Sequence, residues 1–527
     1  MRRNSMSSLP DLPADAIPFW RESTELSSYP TLEHNLDVDV IIVGGGITGL
    51  TAAEILSKEK LNVALIEASR FVSGTTGHTT AKVTAQHGLI YDELINNHGV
   101  EPARKYYEAN KNAIRYMKDL IEENQIDCDF EQQDAFLYAT TGEYANKLET
   151  EYKAYDQLNI KGDLTTNIPM DLTIENALSM KNQYQFHPVK YLKHIIRLVD
   201  DRGVKLFENT SAIDIQKEDK RVIVKTKNGK EIKANYVIVC SHFPFYEGKA
   251  LWSTRIYPER SYALSIKANK PYPGGMYLKT DTPKRSIRYQ PTDDGELYII
   301  GGENHKTGQG QDMMEHFKAL RRFADELFDD YEILNRWSAQ DLTSMDKVPY
   351  IGPMTKDNPN ILIATGYRKW GMTNGTVAAK LLSDLVLGEI TPYADLFKPS
   401  RFEANPSIQQ FVKENVNVAK ELVKGKMDRK NNNIDELNND EATTFRMDGG
   451  RKGAYRDSSG ELHIVDTTCT HAGCEVNWNS GEKSWDCPCH GSRFSYTGEV
   501  LEGPAKEPLQ KHDHTMLDSL MPSDWKE

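Results

Sequence analysis

Apolar and polar positions change their rhythm along this chain, and each change marks an element. Residues 1–36 are polar and hold four prolines, so they read as an arm laid over the first domain. Residues 37–43 form an apolar run of strand length, 44–49 a glycine-rich turn, 50–57 the start of a helix, and 61–66 a second apolar run ending at Glu67. Strand, turn, helix, strand is the order of a βαβ unit. Helical spacing dominates 91–123 and 144–157. Short strands are expected at 204–207, 213–216, 221–226 and 236–239, with Asn228-Gly229 as a hairpin turn. Alternation over 262–300 predicts an antiparallel sheet and 315–331 a helix. A strand at 361–364 then runs through a glycine-spaced loop into a helix over 376–387.

After Pro399, Ile408, Phe411, Val412, Ala419, Leu422 and Val423 recur at helical spacing, which predicts an amphipathic helix packed against the large unit. The polar run 426–441 reads as a linker, and short strands and turns follow it. The expected organisation is an arm (1–36), a large α/β unit (37–398) with an antiparallel sheet near 255–345, a helix and linker (399–433), and a small β-rich domain (434–527).

Composition narrows the function. The 527 residues correspond to two to five domains at about 100–200 residues each. Apolar residues at 39% and charged residues at 27% suit a soluble globular chain and exclude a disordered one. The net charge, 64 − 77 = −13, argues against a nucleic-acid partner. No apolar run reaches the length of about 18 that a spanning helix needs. Arg2 and Arg3 are not followed by an apolar stretch, so no secretory signal is expected. That points to the cytoplasm, where clustered cysteines bind metal more often than they form disulfides. Four of the six cysteines fall between Cys469 and Cys489.

Gly44-x-Gly46-x-x-Gly49 follows an expected strand and opens a helix, the context of a dinucleotide site. The first glycine permits the turn, the second lets backbone approach a pyrophosphate, and the third allows close packing, with Ile47 and Thr48 beginning the helix. Glu67, 18 residues beyond Gly49, is placed for ribose hydroxyls. This unit leaves NAD and FAD both open.

Further segments resemble the FAD-dependent oxidoreductases related to glycine oxidase and D-amino-acid oxidase. They are the loop 73–82 (SGTTGHTTAK), Phe186-His187-Pro188, the segment 236–244, and Ala364-Thr365-Gly366 with Gly371 and Gly375. The resemblance spans about residues 37–395. It implies a Rossmann-like, glutathione-reductase-type FAD-binding α/β domain with an inserted antiparallel-sheet substrate domain. Thr75, Thr76, Thr79, Thr80 and Lys82 would wrap the flavin, and Gly366, Gly371 and Gly375 would lie towards its pyrimidine ring. In residues 337–352 glycine oxidase presents an arginine to the substrate carboxylate, whereas Asp341 stands here. An aspartate repels a carboxylate and favours an ammonium, so a cationic amine is the expected substrate. Arg288 and Arg368 are the candidates for any carboxylate contact.

Cys469-x-His471 and, fifteen residues on, Cys487-x-x-His490 make two Cys–His pairs on separate loops. Zinc can take two cysteines and two histidines, but a zinc finger presents C-x-x-C before H-x-x-x-H, unlike this chain. Mixed pairs suit a cluster whose two irons differ, one held by thiolates and one by imidazoles. The stretches CTHAGC (469–474) and CPCHGS (487–492) resemble the Rieske [2Fe-2S] family over about residues 440–515, with Trp485 and Gly503-Pro504 in place, and imply a small all-β domain. By that resemblance Cys469 and Cys487 bind one iron, His471 and His490 the other, and Cys474 and Cys489 bridge the cluster loops as a disulfide. Ser492 matches a hydroxyl donor to a bridging sulfide. Cys128 and Cys240 read as inert core residues, His242 as structural, and His512 and His514 as solvated tail.

The expected function is a two-centre redox enzyme. A small-molecule amine reduces FAD, and the cluster relays electrons singly to an external acceptor. Electron flow from cluster to flavin, and a redox sensor without turnover, are the alternatives; a Rieske oxygenase would need a mononuclear iron site that is not recognisable. The respiratory Rieske proteins carry a tyrosine donor where this chain has Phe494. Losing a donor to a cluster thiolate destabilises the electron-rich reduced state. Phe494→Tyr should therefore raise the cluster potential in a redox titration, and an unchanged or lower midpoint would contradict the assignment.

Overall fold

The computed structural model describes residues 12–512 apart from 249, 311, 402–403, 428–431 and 448, and leaves out the side chains of 404–409. His514, part of the expected tail, lies outside the described residues.

The strand Leu36–Val43 is apolar along its inner half and pairs in parallel with Val63–Ile66 on one side and Glu231–Val239 on the other. Parallel neighbours continue outward to Lys205–Phe207 and Asn358–Thr365, and Tyr350–Thr355 closes that edge antiparallel. Strands covered on both faces read as continuous apolar runs, which is why Val63–Ile66 is buried at every position. The helices Ile47–Leu56 and Gly371–Leu387 pack together on this sheet. Two glycines make that approach possible. A Cβ at Gly49 would sit on the Gly44 carbonyl oxygen, and one at Gly375 would lie 2.8 Å from Thr48 Oγ1.

A nine-stranded, mostly antiparallel sheet forms the second layer. Its longest pair, Ile256–Ala268 with Tyr331–Ser344, lies within the expected 255–345 sheet. Glu131–Ala139, Asn176–Gln185 and Lys82–Val83 join it from earlier in the chain. The helical stretch 91–123 breaks into Tyr91–His98 and Val100–Glu123 at Gly99, whose φ of 89° is left-handed.

The expected arm is an anchored segment. Trp20 and Leu32 are fully buried, and the Trp20 indole donates to the Thr79 carbonyl at 2.7 Å. The apolar stretch 16–20 is too short to show a period and Leu32 stands alone, so their burial is invisible in the pattern.

The C-terminal unit holds two four-stranded antiparallel sheets. His512 lies in one of them, in the strand Lys511–His512, bonded to Asp466 Oδ1 at 2.8 Å, and is not a solvated tail residue. The helix Ala404–Met427 touches both units. Val418 and Leu422 pack on the core around the four cysteines, while Glu414 meets Lys306 of the large unit at 2.6 Å.

Buried ions fasten the two units together. Arg493, 7% exposed, contacts Glu482 at 2.5 Å, Glu502 at 2.7 Å and Asp486 at 3.1 Å. Glu482 also pairs with Arg260 and accepts from Ser338 Oγ at 2.6 Å, both on the long strand pair of the large unit. Removing one member of such a set leaves uncompensated buried charge. Arg493→Met should therefore lower stability by about 3–5 kcal/mol, seen as a lower urea midpoint. An unchanged midpoint would show that the network contributes nothing.

Candidate functional site

A cavity of about 1330 Å³ opens between the parallel sheet, the nine-stranded sheet and the C-terminal unit. Its floor is the turn after Leu36–Val43. Gly44 has a φ of 115°, and a Cβ there would lie 2.5 Å from the Cys240 carbonyl oxygen. The helix Ile47–Leu56 begins at Gly46 without a side-chain cap, so its first turn faces the cavity with its partial positive charge available to an anion. Thr76 Oγ1 accepts from Ile47 N at 3.2 Å, and Thr48 Oγ1 meets the Tyr367 hydroxyl at 2.9 Å. Glu67 lines the same end, accepting from Gly45 N at 2.8 Å and Ser69 N at 3.0 Å. Burial raises its pKa against the pull of those amides.

Two indoles pin the loop 73–82 over this floor: Trp20 on the Thr79 carbonyl, and Trp337 on the His78 carbonyl at 2.9 Å. Thr75 donates to the Gln340 carbonyl at 2.9 Å, Thr79 Oγ1 accepts from Ala81 N, and Thr80 lines the cavity. Lys82 donates to Tyr277 O and Ser286 Oγ, both at 2.7 Å; burial, then nearby Arg288, pulls its pKa down to about 7. From the opposite side, Tyr367 to Met372 line the cavity around Gly371, after the left-handed turn at Gly366 (φ 81°).

Asp341 and Glu259 are register partners on adjacent strands and both line the cavity. Lys284, Lys347, Arg368 and Lys369 line it too, so both charge signs are present. Arg368 donates to the His87 carbonyl at 2.7 Å. Arg288 does not line the cavity. Its guanidinium is held by Ala81 O and Phe186 O at 3.0 Å and Gln290 Oε1 at 2.7 Å, over the Trp20 ring. Cys240, read as inert core, lines the cavity beside His242; burial raises its thiol pKa, as it pushes Cys128 up to about 12.

The C-terminal unit supplies the remaining wall, through Gly481–Lys483, Arg493 and 499–506. Gly503 packs beside Phe243, and Lys506 donates to Ile213 O at 2.8 Å. Behind this wall stand the two Cys–His pairs. Cys469 and Cys487 share a hydrogen bond, which lowers the pKa of Cys469 and raises that of Cys487, and Ser492 donates to Cys469. The rings of His471 and His490 meet at right angles, 4.9 Å apart, and neither Nδ1 has a hydrogen-bond partner. Burial lowers both imidazoles, His490 to about 4, which keeps them neutral. Two facing thiols and two neutral imidazoles with unused nitrogens fit a two-iron cluster. Cys474 and Cys489 form a disulfide between the two loops, with Cα atoms 6.5 Å apart. Phe494 is fully buried. The wall residues Glu259, Arg260, Glu482 and Glu502 carry no local motif, and only the register of distant strands brings them together.

A nucleotide cleft walled by a cysteine–histidine domain defines a class: a redox protein with a dinucleotide-type site and a metal centre in one chain. A model of the FAD dependent oxidoreductase (DAO) family matches residues 39–385, and one of the Rieske [2Fe-2S] domain matches 430–513. The chain belongs to the FAD dependent oxidoreductase family, carries a Rieske domain, and uses FAD and a [2Fe-2S] cluster. It is 48% identical over 94% of its length to the Rieske 2Fe-2S iron–sulfur protein YhfW of Bacillus subtilis (strain 168), covering 97% of that protein. It is 22% identical over 70% of its length to gamma-glutamylputrescine oxidoreductase of Escherichia coli (strain K12), covering 88% of it. Glycine oxidase from Geobacillus kaustophilus shares the fold, with a TM-score of 0.59 at 19% identity, over 70% of this chain and 100% of that one. Among the described residues, no helix is long and apolar enough to cross a membrane.

Asp341 gives the site a pH signature. Burial, partly opposed by Lys369, pushes its carboxyl from 3.8 up to about 7. A raised acid stabilises the fold while protonated: the contribution is complete below pH 3.8 and is lost as pH rises through about 7. Asp341→Asn should flatten this part of the stability profile in urea titrations of flavin-free protein between those values. Identical slopes in variant and wild type would refute the assignment.

Proposed function

We propose that this chain oxidises a C–N bond of a small amine or amino-acid-like substrate at FAD, in the cytoplasm, and passes the electrons singly through the Rieske cluster to an external acceptor. The observation that carries this reading is the shared wall: the unit holding Cys469, His471, Cys487 and His490 closes the cavity whose floor is the Gly44–Gly49 turn. When bound, FAD supplies a two-electron acceptor for a hydride beside nitrogen, and the cluster a one-electron carrier.

The chain's own residues do the positioning. Gly44, Gly46 and Gly49, with the uncapped first turn of the helix at Thr48, would receive the pyrophosphate, and Glu67 the ribose. Thr75, Thr76, Thr79, Thr80 and Lys82 would hold the flavin from the loop 73–82, and Gly366, Gly371 and Gly375 let the opposite helix approach. Cys469 and Cys487 as thiolates, and His471 and His490 through Nδ1, hold the cluster. Glu259, and Asp341 once ionised above its raised pKa, attract an ammonium, while Arg368 and Lys369 offer the opposite charge to a carboxylate elsewhere on the substrate. Relatives named for glycine and gamma-glutamylputrescine support the amine class.

The test is anaerobic mixing of the holoprotein with a panel of primary and secondary amines, with and without a carboxylate. Flavin bleaching followed by a Rieske-type EPR signal is the expected result. A cluster that is reduced while no amine bleaches the flavin would favour the sensor instead.

A further inference from the structure

The second cysteine–histidine loop lies directly on the strands that wall the cavity. Gly491, next to His490, sits against Pro258, where an added Cβ would lie 2.6 Å from the proline side chain. The Gly491 carbonyl accepts from Gln340 Nε2 at 3.0 Å. Gln340 is 1% exposed. Its own backbone carbonyl accepts from Thr75 Oγ1 at 2.9 Å. Thr75 lines the cavity. One residue thus joins the cluster loop to a cavity-lining threonine through consecutive hydrogen bonds.

The surroundings hold this contact still. Arg260, the register partner of Gln340, pairs with Glu482 across the domain boundary. Gln309 Nε2 donates to Pro488 O and Asn477 Nδ2 to Gly308 O, each at 2.9 Å. A domain that swung away to carry electrons would strip these buried charges of their partners, at a large desolvation cost.

We infer that Gln340 is a positioning residue for electron transfer, and that the Rieske unit works as a fixed wall of the flavin cavity, with electrons crossing through the Gln340 contacts. This rests on the flavin-to-cluster reading above. Each crossing takes one electron from the reduced flavin and adds it to the oxidised cluster. Two crossings re-oxidise the flavin, whose protons leave to water. Between crossings, a one-electron oxidant outside the protein empties the cluster. Tunnelling falls off steeply with distance and is carried better by bonded routes than across gaps. An isostere without the donor therefore weakens the route while leaving the space filled.

The holoprotein, photoreduced anaerobically by a flash with 5-deazaflavin, reports exchange between the flavin absorbance and the cluster EPR signal. Wild-type exchange should proceed at a rate independent of protein concentration. Gln340→Met should slow it about tenfold, with the cluster g-values, its potential and the flavin spectrum unchanged; Gln340→Leu should do the same. Unchanged exchange in Gln340→Met, or a wild-type rate that rises with protein concentration, overturns the inference. Altered g-values in both variants make Gln340 merely structural and overturn it as well. Wild-type protein showing no exchange at all defeats the flavin-to-cluster reading itself.

Discussion

A guanidinium taken out of water must find carboxylates, and Arg493 finds three: Glu482, Asp486 and Glu502. Because Glu482 is shared with Arg260 of the other unit, satisfying Arg493 and docking the Rieske unit become one event. The position of the cavity wall follows from it. Glu502 begins the 502–506 stretch that faces Phe243 and Ile213, and Gly491 settles on Pro258. A buried ionic set is weak evidence for stability but well suited to fixing one arrangement among many. Here it fixes the geometry between two redox sites.

The flavin side answers to a different constraint, backbone proximity. Helix, strand and loop approach so closely at Gly44, Gly49 and Gly375 that side chains have no room. The threonine loop above them has little apolar surface of its own and is held by indoles reaching from the amino-terminal segment and from the long strand pair. Trp20 therefore serves the cofactor site without touching it, and it lays a cation–π face under Arg288, which in turn holds the Ala81 and Phe186 carbonyls. An arginine that reads in the sequence as free to bind substrate is part of that scaffold.

Much of this molecule is legible in its sequence. The βαβ unit, the glycine turn, Glu67 and both Cys–His loops are local objects. Their ligand groups lie within a few residues on turns whose shape depends on glycine and proline, so residue type and spacing carry the chemistry. The misreadings share one cause, the silence of local pattern about distant packing. His512 reads as tail because a two-residue edge strand has no period. The carboxy-terminal helix, expected against one unit, packs on two.

By itself, then, the sequence determined the two cofactor classes and pointed to candidate residues for each. Only the tertiary structure decided that the two sites share a wall, which charges face the substrate space, and that Gln340 lies between cluster loop and flavin loop. Those relations join strands and loops as much as 293 residues apart. They are set by sheet register, where a shift of one residue would exchange the faces that Gln340 and Asp341 occupy. No local pattern encodes that choice; the packing of whole sheets and the pairing of buried charges do.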